Sequence, residues 1–555
     1  MAGAHHKLRE LSHHVRRRMA VALDKAMSRL CLLRKSCAHH RVMERTARWW
    51  RAMRCGAGQV WPPRLGSLLV RAAYILAVSW LGYLLLDDLK FRAPPAGDGG
   101  GRGRPRGIDL FFTAVSAMTV SSMSAVEMEV FFGSQLFVLI VLMFAGGEVF
   151  VSLVGLASKW SKLRKQGINI SQRVESHNCQ PLSWPKPADD TDVDSWTPVN
   201  SDETSKSPIE AKRLRREAVR SLLLLVLAII VAAHVLGATA IAAYVYASSG
   251  ARRTLRSKAL GVWTFAVFTT VSTFSSGGFM PNNENMAALR RDTGLQLLLV
   301  PLALAGNTLF PTLLAVCVRA AAAATRRPDL VEMTARNGRE LTGYYHLLPA
   351  RRCAMLAATV AGLVAVQVAM VCGMEWGGAL RGMGPWEKVS NAVFVAVNSR
   401  HTGESTLDLS TLTPAIIVFL VLMMYLPPYT TWFPFQESSI VADHPTKETQ
   451  GLRLLKSALL SQLSYLAIFV VAICVTERGN LEEDPLNFSL LSVVVQVVSA
   501  YGNVGFSMGY SCSRRINLDR VCADRWTGFA GRWSDSGKLI LILVMLFGRL
   551  KKSSI

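Results

Sequence analysis

Hydrophobic runs long enough to cross a bilayer alternate along this chain with shorter apolar segments that end in small polar residues. Crossing the hydrocarbon core takes roughly 20 predominantly apolar residues, so we predict the long runs to be membrane spans. The eight predicted spans lie at about Leu68–Leu86, Leu136–Ala157, Ser221–Ala247, Thr293–Ala323, Cys353–Met374, Leu412–Tyr429, Leu459–Val475 and Lys538–Leu550. One short segment lies between the two spans of each successive pair.

Each of the four short segments has a half-length apolar part, a turn rich in Ser, Thr or Asn, and a polar exit. They are Phe112–Gln135, Trp263–Met286, Trp386–Ser410 and Phe488–Cys512. We predict re-entrant hairpins, because non-helical backbone at membrane depth is tolerated only where it lines water or is buried in protein. The fourfold recurrence is an internal repeat. It predicts an all-α membrane protein of four M1–P–M2 pseudo-repeats (span, pore loop, span), with eight transmembrane helices and four re-entrant pore loops around one central pore.

Polar stretches between the repeats divide the chain. The predicted divisions are residues 1–65 as a basic cytosolic N-terminal tail, 66–158 as repeat A, 159–217 as a cytosolic linker, 218–325 as repeat B, 326–352 as a cytosolic loop, 353–434 as repeat C, 435–454 as a cytosolic loop, and 455–555 as repeat D with a short C-terminus. The tail and the first two connections are rich in Lys and Arg, which predicts that they and both termini are cytoplasmic.

Composition fits a membrane protein better than a nucleic-acid-binding one. Hydrophobic residues make up 51% of the 555 residues, and the formal net charge is +24. In a chain with many spans, basic loops more often face the cytoplasm and anionic lipid. No nucleic-acid-binding module is recognisable, so we expect membrane lipids and no nucleic acid as partners. A homodimer is an oligomeric state that the sequence leaves open, and we expect no cofactor and no resident metal.

The tips of the hairpins predict an ion-selectivity filter. A permeating ion exchanges its water for fixed oxygens, and backbone carbonyls supply them when the chain runs along the axis. Only Gly adopts the required backbone angles at low cost. Three tips carry glycine, and in the first a serine follows the Ser-Ser-Met run, so the predicted filter residues are Ser124, Gly278, Gly403 and Gly505. Nearby carboxylates predict an acidic outer vestibule that concentrates cations, formed by Glu127, Glu129, Glu284, Glu404 and Asp408.

Two further groups of residues have open interpretations. Pro427 and Pro428 either form part of an inner constriction or simply end the sixth span, and Arg549 either faces the pore or anchors the last span at the membrane surface. Cys512 and Cys522 lie in an outer loop, where an oxidising environment favours a disulfide. Two unpaired thiols are the alternative.

The hairpin motifs resemble those of plant HKT transporters, in the Trk/Ktr/HKT superfamily of K+ and Na+ transporters. The resemblance rests on VSAMTVSSMS, VEMEVF, SSGGF, RHTGE, GNVGFSMGYSC and GRWSDSGKLILILVMLFGRLKK, and runs from about Leu68 to Lys552. It implies four M1–P–M2 units around one pore, with one filter residue from each pore loop. Serine at the first filter position resembles the Na+-selective subfamily. Gly277 is a departure, since Cys is usual before the second filter glycine, and it adds backbone freedom there.

The resemblance implies a sodium-selective transporter or channel for passive Na+ permeation across the plasma membrane, with a role in Na+ homeostasis. A Na+/K+ cotransporter of the same fold is the alternative. A membrane-embedded hydrolase is a remote third interpretation, because Ser399, His401 and Glu404 lie close together in sequence. Catalytic triads are normally assembled from distant positions, so we do not predict an enzyme.

Overall fold

The structure is a computed structural model that describes residues 63–92, 104–177, 208–335, 338–429, 462–515, 522 and 526–552. The chain divides into two compact units, Met1–Val70 and Arg71–Ile555, and the candidate site belongs to the second. Of the predicted connections, the tail before residue 63, residues 178–207 of the first linker and the loop at 435–454 lie outside the described residues.

The described residues form helices and connecting segments, with no strand among them. The first half of the chain contains α1 (Pro63–Asp88), α2 (Gly107–Thr119), α3 (Gly133–Gly146), α4 (Glu148–His177), α5 (Pro208–Ala247), α6 (Ser249–Ser257), α7 (Val262–Phe274), α8 (Thr293–Gly306) and α9 (Phe310–Thr325). The second half contains α10 (Pro328–Ala335), α11 (Gly338–Thr342), α12 (Ala350–Glu375), α13 (Pro385–Asn398), α14 (Pro414–Tyr425), α15 (Gln462–Thr476), α16 (Arg478–Glu483), α17 (Leu490–Gly502) and α18 (Asp535–Lys552).

The predicted repeat is present four times. In each repeat an apolar helix leads, directly or through one short linking helix, to a helix of 13 or 14 residues. An irregular return segment with a 3-10 turn and another apolar helix follow. The short helices are α2, α7, α13 and α17, and we call them the pore helices. The fold class predicted from the sequence is therefore confirmed: an all-α membrane protein built from M1–P–M2 repeats.

Length and composition identify the longest spans. Three described helices, α1, α5 and α12, are long and apolar enough to cross a membrane by themselves, and there are up to five spans if each bent pair counts as one. The helices α14 and α15 are shorter apolar helices of 12 and 15 residues. Large apolar side chains such as Leu81, Val231 and Val471 are exposed on these helices, as expected of surfaces that face lipid.

Two predicted spans are bent rather than continuous. The second is α3 followed by α4 at an angle of 58°, and the fourth is α8 followed by α9 at 81°. Both bends come directly after a glycine that packs against the end of a pore helix. A Cβ added at Gly146 would overlap the carbonyl oxygen of Met118, and one at Gly306 would overlap that of Phe274. The close approach of helix to pore helix thus requires glycine.

The pore helices are buried between the longer helices. Leu110, Ala114 and Ala117 of α2 pack in one apolar cluster with Leu139 of α3 and Phe268 of α7. Comparable clusters surround the other pore helices. This packing holds the C-terminal ends of the pore helices, and the tips that follow them, in the middle of the molecule.

Candidate ion-conduction site

The four hairpin tips meet in one ring. The backbone is in the left-handed region at Ser122 (φ 57°), Gly278 (φ 62°), Gly403 (φ 64°) and Gly505 (φ 108°). A Cβ added at Gly278 would overlap Ser122 and the carbonyl oxygen of Thr402, and one at Gly505 would overlap Ser122. One at Gly403 would lie 2.7 Å from the carbonyl carbon of Gly505. Each tip therefore touches its neighbours, and we call these four residues the ring.

The side chain of Ser122 lies against all three other hairpins. Its Oγ lies 2.6 Å from the carbonyl oxygen of Gly277 and 2.7 Å from that of Thr402. Its Cβ is the atom that a side chain at Gly505 would meet. A hydroxyl carries one hydrogen, so it donates to one of the two carbonyls at a time. The serine thus brings a side chain to a position where the other hairpins present only backbone.

The predicted register of the first hairpin is corrected by two residues. Ser124, predicted for the ring, instead turns its Oγ to the carbonyl oxygen of Val126, and its own carbonyl accepts the N–H of Gly528 at 3.0 Å. Ser122 takes the left-handed conformation that the ring requires. The sequence does contain a signal for this register, because a large apolar residue follows the ring residue in three hairpins. The three are Met123, Phe279 and Phe506.

Short hydrogen bonds fix the tips to their own pore helices. Ser116 Oγ accepts the backbone N–H of Met123 at 2.7 Å, and Ser499 Oγ accepts that of Gly505 at 2.9 Å. In both hairpins this serine lies six residues before the ring residue. Because the ring follows within five residues of each pore-helix C-terminus, the negative ends of four helix dipoles are directed at it. That arrangement favours a cation.

Hairpins from distant repeats are also joined directly. Asn503 of the fourth hairpin donates to Ser121 Oγ of the first at 2.8 Å and to the carbonyl oxygen of Met545 at 3.1 Å. In the third hairpin His401 Nε2 lies 2.6 Å from Thr308 Oγ1, at the bend after α8. The ring is therefore supported by side chains that reach between repeats.

Three of the predicted vestibule carboxylates have other surroundings. Glu404 is fully buried, with one carboxylate oxygen accepting Thr273 Oγ1 at 2.8 Å. Glu127 is 6% exposed and accepts the backbone N–H of Trp526 at 3.3 Å. Asp408 is exposed and caps the 3-10 turn at Ser410. These three carboxylates do not form one solvent-facing vestibule, because each is hydrogen-bonded to a different part of the protein.

The other two carboxylates share one lysine, which belongs to none of the sequence motifs. Lys258, between α6 and α7, forms an ion pair with Glu129 at 3.0 Å and another with Glu284. Burial acts to lower the pKa of the Lys258 ammonium, but the hydrogen bonds and charges of Glu284 and Glu129 outweigh it and raise that pKa. The lysine therefore carries its charge throughout the physiological range.

Near the C-terminal ends of α3, α14 and α18, residues from several parts of the chain form a buried polar cluster, which we call the inner cluster. Arg549 of α18 donates to the carbonyl oxygen of Gly146, and both residues line a cavity of about 360 Å³ with Glu148. Tyr345 and Tyr429 direct their hydroxyls to Glu148 at 3.3 and 3.4 Å. Of the predicted inner residues, Arg549 is thus buried inside the protein.

Pro427 and Pro428 lie just after the end of α14. The carbonyl oxygen of Pro427 accepts Arg400 at 2.7 Å, and Tyr429 follows directly with a hydroxyl 3.0 Å from His346 Nδ1. The prolines therefore end the helix and lead the chain into the inner cluster. Burial lowers the pKa of His346 to about 4, so this imidazole is neutral at physiological pH.

Two sulfur atoms lie within bonding distance near the fourth hairpin. The structure joins Cys512 to Cys522, with the Cα atoms 5.9 Å apart. That separation lies within the normal range for disulfides. The bridge closes the start of the segment that leads to Gly528, whose N–H binds the first hairpin.

The residues that suggested a hydrolase have separate partners. Ser399 Oγ lies 3.1 Å from Gln367 Oε1 and 2.7 Å from the carbonyl oxygen of Ala396. His401 Nδ1 lies 2.5 Å from the carbonyl oxygen of Val397. Ser399 and His401 each contact residues that hold the hairpin in place, and not one another as in a catalytic triad. We therefore assign them a structural role.

Known proteins share this arrangement of sequence. The family model TrkH, described as a cation transport protein, matches residues 199–431 and 443–555. The chain is 66% identical over 491 residues to "Probable cation transporter HKT1;4" of Oryza sativa subsp. japonica, covering 88% of this chain and 96% of that protein. It is 42% identical to "Sodium transporter HKT1" of Arabidopsis thaliana, covering 81% and 87%.

A more distant relative is "Cation transporter HKT2;4" of Oryza sativa subsp. japonica, 34% identical over 88% of this chain and 92% of that protein. The potassium transporter TrkH from Vibrio parahaemolyticus is similar with a TM-score of 0.45 and 15% identity, covering 89% of this chain and 84% of that one. The family model and the extent of the matches to the two HKT proteins lead to one assignment: this chain belongs to the TrkH family of cation transport proteins, among the HKT transporters of plants.

Proposed function

We propose that this protein lets Na+ cross the membrane passively through the ring and favours Na+ over K+ through Ser122. The observation that carries the proposal is the position of the Ser122 hydroxyl, within 2.7 Å of carbonyl oxygens from two other hairpins. The remaining ring residues are Gly278, Gly403 and Gly505, which leave their places free of side chains. Ser122 replaces Ser124 in this proposal.

The selectivity follows from how the two ions are coordinated. K+ needs a complete set of well-placed oxygens to replace its hydration shell. A hydroxyl that donates to the carbonyl of Gly277 or Thr402 engages an oxygen that the ion would otherwise use, and the Cβ of Ser122 narrows the same space. Na+ can pass with part of its water retained. A tenfold discrimination requires only about 1.4 kcal/mol, which one displaced carbonyl supplies.

The relatives support this function without distinguishing its variants. A relative named a sodium transporter is 42% identical to this chain, whereas several others are named only as cation transporters. The alternative within the same fold is cotransport of K+ with Na+. We further propose the plasma membrane as the location, with both termini in the cytoplasm, and the hairpin return segments then face the outside. A homodimer stays a prediction.

The inner constriction is a second part of the proposal. Arg549 and Glu148 line one cavity with Tyr345, and Tyr429 reaches the same carboxylate. We assign this cluster to the inner end of the ion path, where Arg549 places a positive charge that opposes cations. Pro427 and Pro428 contribute by ending α14 so that the chain enters the cluster.

Two-electrode recordings test the selectivity directly. The protein is expressed in oocytes, and external Na+ and K+ are exchanged while reversal potentials are measured. We expect the wild-type reversal potential to follow Na+, and Ser122→Gly to raise the permeability of K+ relative to Na+ by about tenfold, the equivalent of about 1.4 kcal/mol. Gly403→Val is the non-conducting control, since a branched side chain there overlaps the fourth hairpin.

Each other outcome contradicts a specific part of the proposal. Reversal potentials that follow Na+ alone in both wild type and Ser122→Gly would show that Ser122 is not the selector. A wild type that already passes K+ would favour cotransport. Absence of any cation current from protein present at the cell surface would contradict passive permeation itself.

A further inference from the structure

The ion pairs of Lys258 connect the first two hairpins. Its ammonium lies 3.0 Å from Glu129 Oε1 and also contacts Glu284 Oε1. All three side chains are partly buried, with 21–26% of each exposed. The second oxygen of Glu284 is buried and has no hydrogen-bond partner in the described part of the chain. Two carboxylates that would repel each other are thus held together by one cation.

The position of this lysine is fixed from several directions. Arg92, which follows α1, donates to the carbonyl oxygen of Ala259 at 3.1 Å and lies 3.5 Å from that of Lys258. Glu129 and Asn283 also exchange two hydrogen bonds, from the N–H of Glu129 to Asn283 Oδ1 at 3.0 Å and from the N–H of Asn283 to Glu129 Oε1 at 3.2 Å. The return segments of the first two hairpins are therefore in direct contact, and the carboxylate oxygens of Glu129 and Glu284 lie close together around Lys258.

The two carboxylates lie close behind the ring in sequence. Glu129 follows Ser122 by seven residues, and Glu284 follows Gly278 by six. Both belong to return segments that lead from the ring to the face where the hairpins end. A cation held by these oxygens would sit beside the entrance that the proposed function gives to Na+.

We propose that Lys258 is a built-in counter-cation of the outer entrance, which occupies the oxygens of Glu129 and Glu284 and thereby excludes external Ca2+ from them. Ca2+ binds oxygen ligands, and protein sites of the extracellular type hold it with a Kd of roughly 0.1–1 mM. The carboxylates of Glu129 and Glu284 offer such oxygens once the ammonium is removed. Lys258 therefore determines which ions can rest at the entrance, an inference that rests on the proposed Na+ permeation.

The test is the sensitivity of Na+ current to external Ca2+. Wild type and Lys258→Met are expressed at the cell surface and titrated with external Ca2+. We expect Lys258→Met to be blocked at concentrations about tenfold or more below those that affect wild type, within the range of such sites. Lys258→Arg keeps a positive charge and should behave as wild type. Lys90→Met is the matched control, because Lys90 is an exposed lysine just after α1 and two residues before Arg92, which contacts the backbone of Lys258.

Two further variants separate a created site from a general change. Adding Glu129→Gln to Lys258→Met should remove the gained Ca2+ sensitivity, because one ligand is lost. Lys258→Cys should be sensitive to Ca2+, and reaction of its thiol with external 2-aminoethyl methanethiosulfonate should reverse that sensitivity by restoring a positive charge. The second measurement uses protein that has already reached the surface, so it does not depend on the folding of Lys258→Met.

The outcomes distinguish this inference from the proposed function. Equal Ca2+ dependence of wild type, Lys258→Met and Lys258→Cys, with Na+ currents present in all, would overturn the role of Lys258 alone. Equal sensitivity of Lys90→Met and Lys258→Met would overturn it too, because surface charge would then explain the effect. Absence of Na+ current from wild type would contradict the proposed function.

Discussion

At Ser122 a single hydroxymethyl group occupies space that three glycines leave empty. The residue takes a left-handed backbone with φ of 57°, which is uncommon for any residue except glycine. A hydrogen bond from its Oγ to the carbonyl oxygen of Gly277 or of Thr402 offsets that cost. Serine is small enough to be held there, whereas a β-branched or larger side chain would collide with Gly278 and Gly505.

The neighbouring Ser124 provides the contrast for this assignment. We expect Ser124→Ala to leave the ratio of K+ to Na+ permeability unchanged, because Ser124 Oγ turns to Val126 within its own return segment. Reversal potentials under exchange of Na+ and K+ measure the ratio. Ser122→Gly recorded in the same experiment shows the size of a genuine change in the ring. A larger change in the permeability ratio for Ser124→Ala than for Ser122→Gly would contradict this assignment and favour Ser124 as the ring residue.

His346 gives a prediction about pH. This fully buried imidazole packs on the rings of Tyr345 and Phe310 and forms a hydrogen bond with the hydroxyl of Tyr429. The negative charge of Glu148 acts to raise its pKa. Burial lowers its folded-state pKa to about 4, below the ordinary value of 6.5. Between those values the unfolded chain binds the proton and the folded chain does not. The stability that His346 contributes is therefore present above about pH 6.5 and is lost as the pH falls toward 4.

We expect the free energy of unfolding of the detergent-solubilised protein to decrease as the pH is lowered from 7.5 to 5, with His346 contributing up to about 1.4 kcal/mol per pH unit. The melting temperature should fall accordingly. His346→Gln lacks this titration, so its melting temperature should change less over the same interval. Thermal unfolding of both proteins at the two pH values measures the difference. An identical pH dependence in the two proteins would show that His346 does not contribute.

Among the elements, the contacts between pore helices and bent spans decide where the tips lie. The second span of three repeats carries a glycine against the last carbonyls of a pore helix, at Gly146, Gly306 and Gly548. No side chain separates the two backbones there. In a membrane, close packing of helices depends on small residues because the lipid offers no hydrophobic drive for association. These glycines therefore set the depth of the ring.

Gly306 tests this contact. A Cβ at this position overlaps the carbonyl oxygen of Phe274, so we expect Gly306→Ala to destabilise the protein by about 1–3 kcal/mol through overpacking. The matched control is Gly373→Ala, because a Cβ at Gly373, also in a helix, has nothing within 4 Å. Melting temperature and surface abundance measure the effect. Equal values for the two variants would mean that the helices adjust at no cost.

At the scale of the whole molecule, residues from distant parts of the chain meet at both ends of the proposed ion path. The ring draws one residue from each repeat, and the inner cluster draws Glu148, Tyr345, Tyr429 and Arg549 from different parts of the chain. Ion passage therefore depends on the relative placement of all repeats. A change at one end of the last helix acts on a carboxylate at the bend of the second span.

We expect Arg549→Gln to increase Na+ current per surface molecule severalfold. A fixed charge about 10 Å from the ion path contributes roughly 1–2 kcal/mol to the barrier at an effective dielectric constant of about 20. Currents divided by surface abundance give the measurement. Lys162→Gln is the control, since it removes an exposed positive charge from α4. Unchanged or smaller currents at normal surface abundance would place Arg549 away from the ion path.

Much of the architecture follows from local properties of the chain. Length and hydropathy of the long runs predict the C-terminal ends of α1 and α12 to within about two residues. The recurrence of a short apolar segment with a small residue at its tip predicts four hairpins, and glycine at Gly278, Gly403 and Gly505 marks three of the tips. These features can be read from sequence because each one depends on residues that are neighbours along the chain.

Other features depend on residues that are distant along the chain and meet in space. The choice of Ser122 over Ser124 follows from which serine reaches Gly277 and Thr402, about 155 and 280 positions away. The bend after Gly306 follows from its contact with a pore helix. Lys258 gains its role from two carboxylates on separate hairpins. Hydrophobic periodicity fixes which segments enter the membrane, but packing and charge pairing between repeats fix which side chain each segment presents to the ion.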